Sequence, residues 1–375
     1  MGKIPTPLIK TILLVIIILI GAFFRLHQIA DLPPGDDFDP AYYGLDALRI
    51  LDGERPVYLA TNYGREPMFS YLVAALYLLL GPGTLGIRVA SALVGIFTIP
   101  AMYLVGDEFS KLSSLKTLRQ WGGILAALIL ALSYWHLNWS RYGVRAILIP
   151  LFFAMTTFFL LRALRKRRSL DFLGAGIFLG FSFYTYQLAQ LLPLLILLVL
   201  LYDVITRHSF NKQDVLHFLL LFGTALLIWL PLAFYAYSHP GVFNQRVWGV
   251  FIFSDSPSVS DQIPELLEKG RQLLLLFTIE GDLDLTINLP GRPLFNPFLS
   301  LFFFAGILIS LWRWRLPGYL FLLSWLVIMI APVLLAEKAA MGKRALGALP
   351  VAILLITLGL TWPLDNWFGQ WRHDT

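Results

Sequence analysis

The chain has no cysteine among its 375 residues, which excludes disulfides, thiolate metal sites and thiol chemistry. Charge is scarce: Asp, Glu, Lys and Arg make up 14% of the sequence, against roughly a quarter in a soluble domain. Neither a Gly-Lys-Ser/Thr phosphate loop nor a dinucleotide fingerprint occurs, which argues against nucleoside triphosphate or nucleotide-sugar chemistry. His27, His136, His208, His217, His239 and His373 have no paired ligand spacing. No cofactor is therefore expected, and a divalent metal is not indicated. There is also no internal repeat, no low-complexity tract and no stretch able to fold as a separate soluble domain.

What remains is apolar. Hydrophobic residues make up 58% of the chain and the mean hydropathy is +0.72. Runs of roughly 18 to 22 apolar residues point to an all-α, polytopic membrane protein. The spans are expected near 8–28, 86–106, 122–138, 145–164, 171–187, 188–204, 216–237, 297–313, 318–336 and 345–362. That is a single membrane-embedded domain over 1–375, with a first external loop at 29–85 and a long one at 238–296. MGKIPTPLIK followed by TILLVIIILIGAFF has no small-residue cleavage site after it and reads as an uncleaved anchor.

Residues 67–82 are too short between their prolines to span, and charge gives the same answer. If this segment lies at the interface, Lys111, Lys116, Arg119, the run Arg165–Arg168, Arg207, Lys212, Arg313 and Arg315 all fall inside. The positive-inside rule prefers that arrangement, with both chain ends in the cytoplasm. It also accounts for the net charge of +6 without a nucleic-acid partner. A second interfacial helix is expected where Ile263, Leu266, Leu267, Leu274 and Phe277 recur at helical spacing.

Against this background one stretch stands out. Residues 29–66 hold eight of the 23 carboxylates: Asp31, Asp36, Asp37, Asp39, Asp46, Asp52, Glu54 and Glu66. Within it a short helix is expected from Pro40 to about Asp52, with Asp39 as N-cap and Gly53 past its end. Ala41, Leu45 and Leu48 share one face of it, which suits a helix lying on the membrane surface. Arg65, Arg88, Arg141, Arg145, Arg292 and Arg344 gather at the same outer boundary, opposite the positive-inside excess. Each alone reads as an anchor or a salt-bridge partner. Together they would suit a lipid-linked phosphate, because guanidinium forks match phosphate oxygens. Tyr184 and Tyr186, with Tyr42, Tyr43, Tyr58, Tyr63, Trp135, Trp139 and Tyr142, read mostly as interface belt, and a few could stack on a sugar ring.

PPGDDFDPAYYGLDALRILDGERPVY, NYGREPMFSYLVAALYLLLGPGTLGIRVASALVGIFTIPAMYLVG, ALSYWHLNWSRYGVRAILIP, YTYQLAQLLP, INLPGRPLF and KRALGALP follow one another in order. In order and spacing they resemble the membrane-embedded GT-C glycosyltransferases of family 39. This group includes protein O-mannosyltransferases and the aminoarabinose transferase of lipid A. The resemblance implies a GT-C-type bundle of about ten transmembrane helices with interfacial helices in the first external loop. It implies a sugar donor on polyprenyl phosphate, a lipid, glycan or protein acceptor, and an inverting reaction on the outer face of the plasma membrane. It also implies an Asp general base in the first external loop, usually in an Asp-Glu pair. The matching residue is Asp39, with Asp37 as the alternative, and Pro40 stands where Glu is usual. A His expected before the basic residue of the last external loop is absent; Lys343 and Arg344 remain. By the same resemblance Glu66, Tyr184, Tyr186 and the outer arginines contact substrate, with Arg141, Arg145 and Arg344 at the phosphate and Arg65 ordering the loop. Two other readings stay open: a non-catalytic subunit of a larger membrane complex, and a transporter.

Overall fold

In the first helix, α1 (Thr6–Leu26), only Ile17, Gly21 and Arg25 are buried. Their four-residue spacing puts them on one face, and from Ile12 onward the exposed residues are Leu, Ile, Val and Phe. A helix apolar on its exposed side is facing lipid, not water. The computed structural model describes residues 6–35, 38–208, 210–243, 259–283, 288–336 and 341–370, and it is helical throughout with one isolated β-bridge, Leu59–Arg65. After α1 come α2 (Phe38–Leu51), α3 (Met68–Leu80), α4 (Thr84–Ser110), α5 (Lys116–Leu132), α6 (Tyr134–Tyr142), α7 (Leu148–Lys166), α8 (Ser169–Ser182) and α9 (Leu192–Arg207). Then follow α10 (Lys212–Phe218), α11 (Thr224–Ser238), α12 (Val259–Leu276), α13 (Pro297–Trp312), α14 (Pro317–Leu334), the short α15 (Met341–Arg344) and α16 (Leu349–Gln370).

Among the described residues, seven helices are long and apolar enough to cross a membrane, or eight if the bent pair α5–α6 is one span. The chain is thus a multi-pass membrane protein. The two other expected spans, 171–187 and 297–313, meet α8 and α13, which have 14 and 16 residues. The span expected at 122–138 begins earlier, at Lys116, and bends by 55°. Ser133 has an extended backbone (ψ 118°), so α5 stops there and α6 restarts in a new direction.

The centre of the bundle is α16. Val351, Ala352, Ile353, Leu354, Leu355, Ile356 and Leu358 are all buried, so this helix is enclosed on every side. It meets α13 backbone to backbone: a Cβ on Gly306 would lie 2.1 Å from the Leu355 carbonyl oxygen, and one on Gly359 2.1 Å from that of Phe302. In lipid such close approach replaces the hydrophobic drive between helices with van der Waals contact. At the other wall Arg25 is buried and donates to the carbonyls of Gly21 and Ala131 at 2.9 and 3.1 Å. Its Nη2 also lies 2.8 Å from His136 Nδ1, so that nitrogen accepts and the ring proton sits on Nε2. This arginine ties α1 to α5 and α6.

One end of the bundle is closed by ion pairs. Arg165 forks onto Glu108 at 2.7–2.9 Å, Arg167 meets Asp203 at 2.6 Å, and Arg207 bridges Asp203 and Asp214 at 2.9 Å. Arg145 precedes α7 and Arg165 ends it, so the first loop and this ionic end are roughly 30 Å apart along that helix.

The first loop departs from expectation at one point. Asp39 does not cap α2; the helix begins at Phe38, so Asp39 lies within the first turn. Pro40 is still tolerated there, because the N–H it lacks has no intrahelical acceptor so near the start. Ala41, Leu45 and Leu48 are on the exposed face, while Tyr43, Asp46, Ala47 and Ile50 are buried.

Candidate active site

The site begins with a turn. Asn62, Tyr63 and Gly64 all have left-handed φ values, 53°, 61° and 81°, so the chain doubles back on itself. Only glycine fits the last position, where a Cβ would lie 2.3 Å from the Tyr58 hydroxyl. The reversal pairs the Leu59 and Arg65 backbones through two hydrogen bonds of 2.9 and 2.8 Å. It thereby aims Asn62 and Arg65 at α2.

Asn62 Nδ2 donates to Asp39 Oδ1 at 3.2 Å. The other carboxylate oxygen of Asp39 receives Lys343 Nζ at 2.5 Å, from a segment 304 residues away. Lys343 is carried by α15, which is fixed from two sides: Asp282 accepts from the Gly342 N–H at 2.9 Å, and Trp135 Nε1 donates to the Gly342 carbonyl at 2.8 Å. Arg344 is the next residue of α15, at its end. Asp39 and Lys343 retain 20% and 14% side-chain exposure, so this carboxylate is open enough to meet a substrate.

Behind Asp39 lie two buried ion pairs. Arg65 Nη2 is 2.7 Å from Asp46 Oδ2 and donates to Thr61 Oγ1, also at 2.7 Å. Its guanidinium also lies over the Tyr42 ring, 4.8 Å from the centroid. Burial pulls the Arg65 guanidinium down from its ordinary pKa and pushes the Asp46 carboxyl up, although each favours the other's charge. The second pair is Arg145–Glu66, at 3.3 Å. Among the described residues no hydrogen bond reaches Nε, Nη1 or Nη2 of Arg145. Its guanidinium instead lies over the Tyr186 ring, 5.1 Å from the centroid. Arg65 and Arg145 both feel the charge of Asp39. The arrangement is a half-open carboxylate with one reachable ammonium beside it and two buried ion pairs behind.

The remaining outer residues lie elsewhere. Arg88 donates to the carbonyls of Ile29, Ala30 and Gly35, at 3.3, 3.1 and 2.8 Å. Arg141 donates to Phe24 and His27 at 2.7 and 2.8 Å, satisfying the last carbonyls of α1, and to Leu32 at 3.2 Å. Both hold the start of the loop to the bundle. Arg292 stacks over Tyr134 at 3.8 Å. The Tyr184 hydroxyl donates to the Ile228 carbonyl at 2.8 Å. Asp37 lies outside the described residues, and among those described no cluster of three His, Asp or Glu is placed to hold a metal. Sequence reasoning did not single out Asn62 or Lys343 as partners of Asp39, nor Asp46 as the partner of Arg65. For Asp46 the signal was there: it shares a face with Tyr43, Ala47 and Ile50, where a lone acid must find a cation.

Residues 64–235 match the family model described as dolichyl-phosphate-mannose-protein mannosyltransferase. No curated protein matches the chain. Among solved structures it is similar to the Archaeoglobus fulgidus oligosaccharyltransferase in its apo form, at 15% identity and a TM-score of 0.60, over 97% of this chain and 52% of that one. A. fulgidus AglB, solved with an inhibitory peptide and a dolichol-phosphate, matches at 16% identity and 0.59, over 98% and 52%. ArnT from Cupriavidus metallidurans, solved bound to undecaprenyl phosphate, matches at 16% identity and 0.56, over 96% and 62%. The chain thus spans about half to three-fifths of the length of these proteins.

Proposed function

We propose that this chain, whose residues 64–235 match a mannosyltransferase family model, transfers a sugar from a polyprenyl-phosphate donor to a hydroxyl acceptor on the extracytoplasmic side of the membrane. The observation that carries this reading is Asp39, a half-open carboxylate in the first turn of α2, with Lys343 on one oxygen. The fold shared with proteins solved with dolichol-phosphate and with undecaprenyl phosphate supports the donor class. The lipid chain lies along the apolar exterior of the bundle. The Asp39 carboxylate accepts the proton of the acceptor hydroxyl as that oxygen attacks the anomeric carbon. The bond from that carbon to the phosphate oxygen breaks, the electron pair leaves with polyprenyl phosphate, and the anomeric configuration inverts. Lys343 and Arg344 are the cations that face the departing phosphate. The buried Arg145–Glu66 pair adds a fixed dipole that costs no reorganisation during the reaction.

The test is a donor panel. The protein, reconstituted in liposomes, is given labelled polyprenyl-phosphate sugars and, separately, labelled nucleotide sugars. Transfer from at least one lipid-linked donor and from no nucleotide sugar is expected. Transfer from nucleotide sugars alone, or from no donor by correctly folded protein, would overturn the reading and favour a non-catalytic scaffold.

A further inference from the structure

Three of the carboxylate–cation contacts at this site differ in one respect. Asp46–Arg65 and Glu66–Arg145 have side-chain exposures of 2% or less, whereas Asp39–Lys343 is partly open. Breaking either buried pair leaves a charge in a dry interior, so those cations stay where they are. The Lys343 ammonium has no such constraint. It stands at the end of a flexible four-carbon stem whose backbone is held at Gly342 by Asp282 and Trp135. The ammonium can therefore leave Asp39 without any backbone movement.

We propose that Lys343 is a latch on Asp39 which the donor phosphate releases, the ammonium passing from carboxylate to phosphate when the lipid-linked donor binds. The inference rests on the function proposed above and adds an order of events to it. A carboxylate held by an ammonium is a weaker base than a bare one. With Lys343 in place and Asn62 on the other oxygen, Asp39 is poorly set up to take a proton. Once the ammonium has moved, Oδ2 no longer meets that cation and takes the proton of the acceptor hydroxyl, and the cation stands where the leaving group develops charge. The donor is a phosphodiester with a single negative charge, and the polyprenyl phosphate that departs is a monoester of roughly −1.5 to −2 near neutral pH. The pull on Lys343 thus grows as the reaction proceeds. Lysine suits this exchange better than arginine would, because a point charge re-pairs without restoring a planar fork. The latch couples activation of the base to the presence of its leaving group and keeps an unloaded site from acting as a general base.

The experiment is a binding cycle with undecaprenyl phosphate carrying no sugar, titrated into full-length protein in phosphatidylcholine nanodiscs. The proteins are wild type, Asp39→Asn, Lys343→Gln and the double variant, each matched to wild type in helix content and melting. Asp39→Asn frees the ammonium and should tighten binding about two- to five-fold, the scale of one partly exposed ion pair. Lys343→Gln should weaken it by about ten-fold, and Lys343→Arg should restore most of the loss. In the Lys343→Gln background, Asp39→Asn should have no further effect. Equal tightening in both backgrounds would mean simple charge repulsion and would overturn the latch. Unchanged or weaker binding by Asp39→Asn would mean a structural pair and would overturn it too. If Lys343→Gln does not fold, Lys343→Met, which keeps the apolar stem without the charge, takes its place in the cycle. Absence of any wild-type binding would refute the donor assignment itself, whereas binding without coupling would refute only the latch.

Discussion

Asp39→Asn should lower sugar transfer by about 10²–10⁴-fold, the usual contribution of a positioned general base. The substitution keeps the side-chain shape and its ability to accept from Asn62, and removes the group that takes the proton. Because Asp39 lies inside the first turn of α2 and does not cap it, the helix start should survive. Loss of its charge near the helix N-terminus costs only about 0.3–1 kcal/mol. The measurement is the initial rate at saturating donor and matched protein, with Asp37→Asn run in parallel. A rate within a few-fold of wild type for Asp39→Asn, with collapse in Asp37→Asn, would move the base two residues upstream. Collapse in Asp39→Asn alone would assign it as proposed. The expected pattern is unusual for a damaged enzyme: transfer is lost while affinity for the sugar-free lipid phosphate rises.

The second large effect concerns stability. Glu66→Gln leaves the Arg145 guanidinium buried beside an uncharged amide, with no described residue accepting a hydrogen bond from its nitrogens. Removing one partner of a buried ion pair typically costs about 3–5 kcal/mol, because the remaining charge has lost its compensation. Both side chains are at most 2% exposed, so solvent screening offers little relief. Arg145→Met should be comparably damaging. The double variant Glu66→Gln/Arg145→Met should recover part of the loss, since no charge is then stranded. Thermal unfolding in detergent, read for the two single variants and the double, checks this. Additive losses, or a neutral Glu66→Gln, would mean that the pair is not coupled as its geometry requires.

Much of the architecture was legible because lipid imposes a simple rule on the sequence. A run long enough to cross must be apolar, so α1, α4, α7 and α16 announce themselves. For the same reason the acids of 29–66 stand out against the rest of the chain. The 55° bend at Ser133 was not legible: neither proline nor glycine marks it, and the break lies in one extended residue. The start of α2 was misplaced by the strength of the Asp39-Pro40 signal, which fits the first turn as well as it fits a cap. The outer arginines looked alike in sequence and are used differently. Arg88 and Arg141 meet loop and helix-end carbonyls, while Arg65 and Arg145 meet carboxylates. Which of these an arginine reaches depends on where distant segments end, and no local spacing encodes that. The contact of Lys343 with Asp39 is the extreme case, since it joins residues 304 positions apart in the chain.

In the proposed reaction a hydroxyl that Asp39 deprotonates displaces polyprenyl phosphate directly at the anomeric carbon. The most direct measurement is the anomeric configuration of the product, read by nuclear magnetic resonance against that of a donor of defined configuration. A product of opposite configuration is predicted, because the acceptor attacks the face away from the departing phosphate. Retained configuration would contradict the account, since it requires a second displacement through a glycosylated side chain.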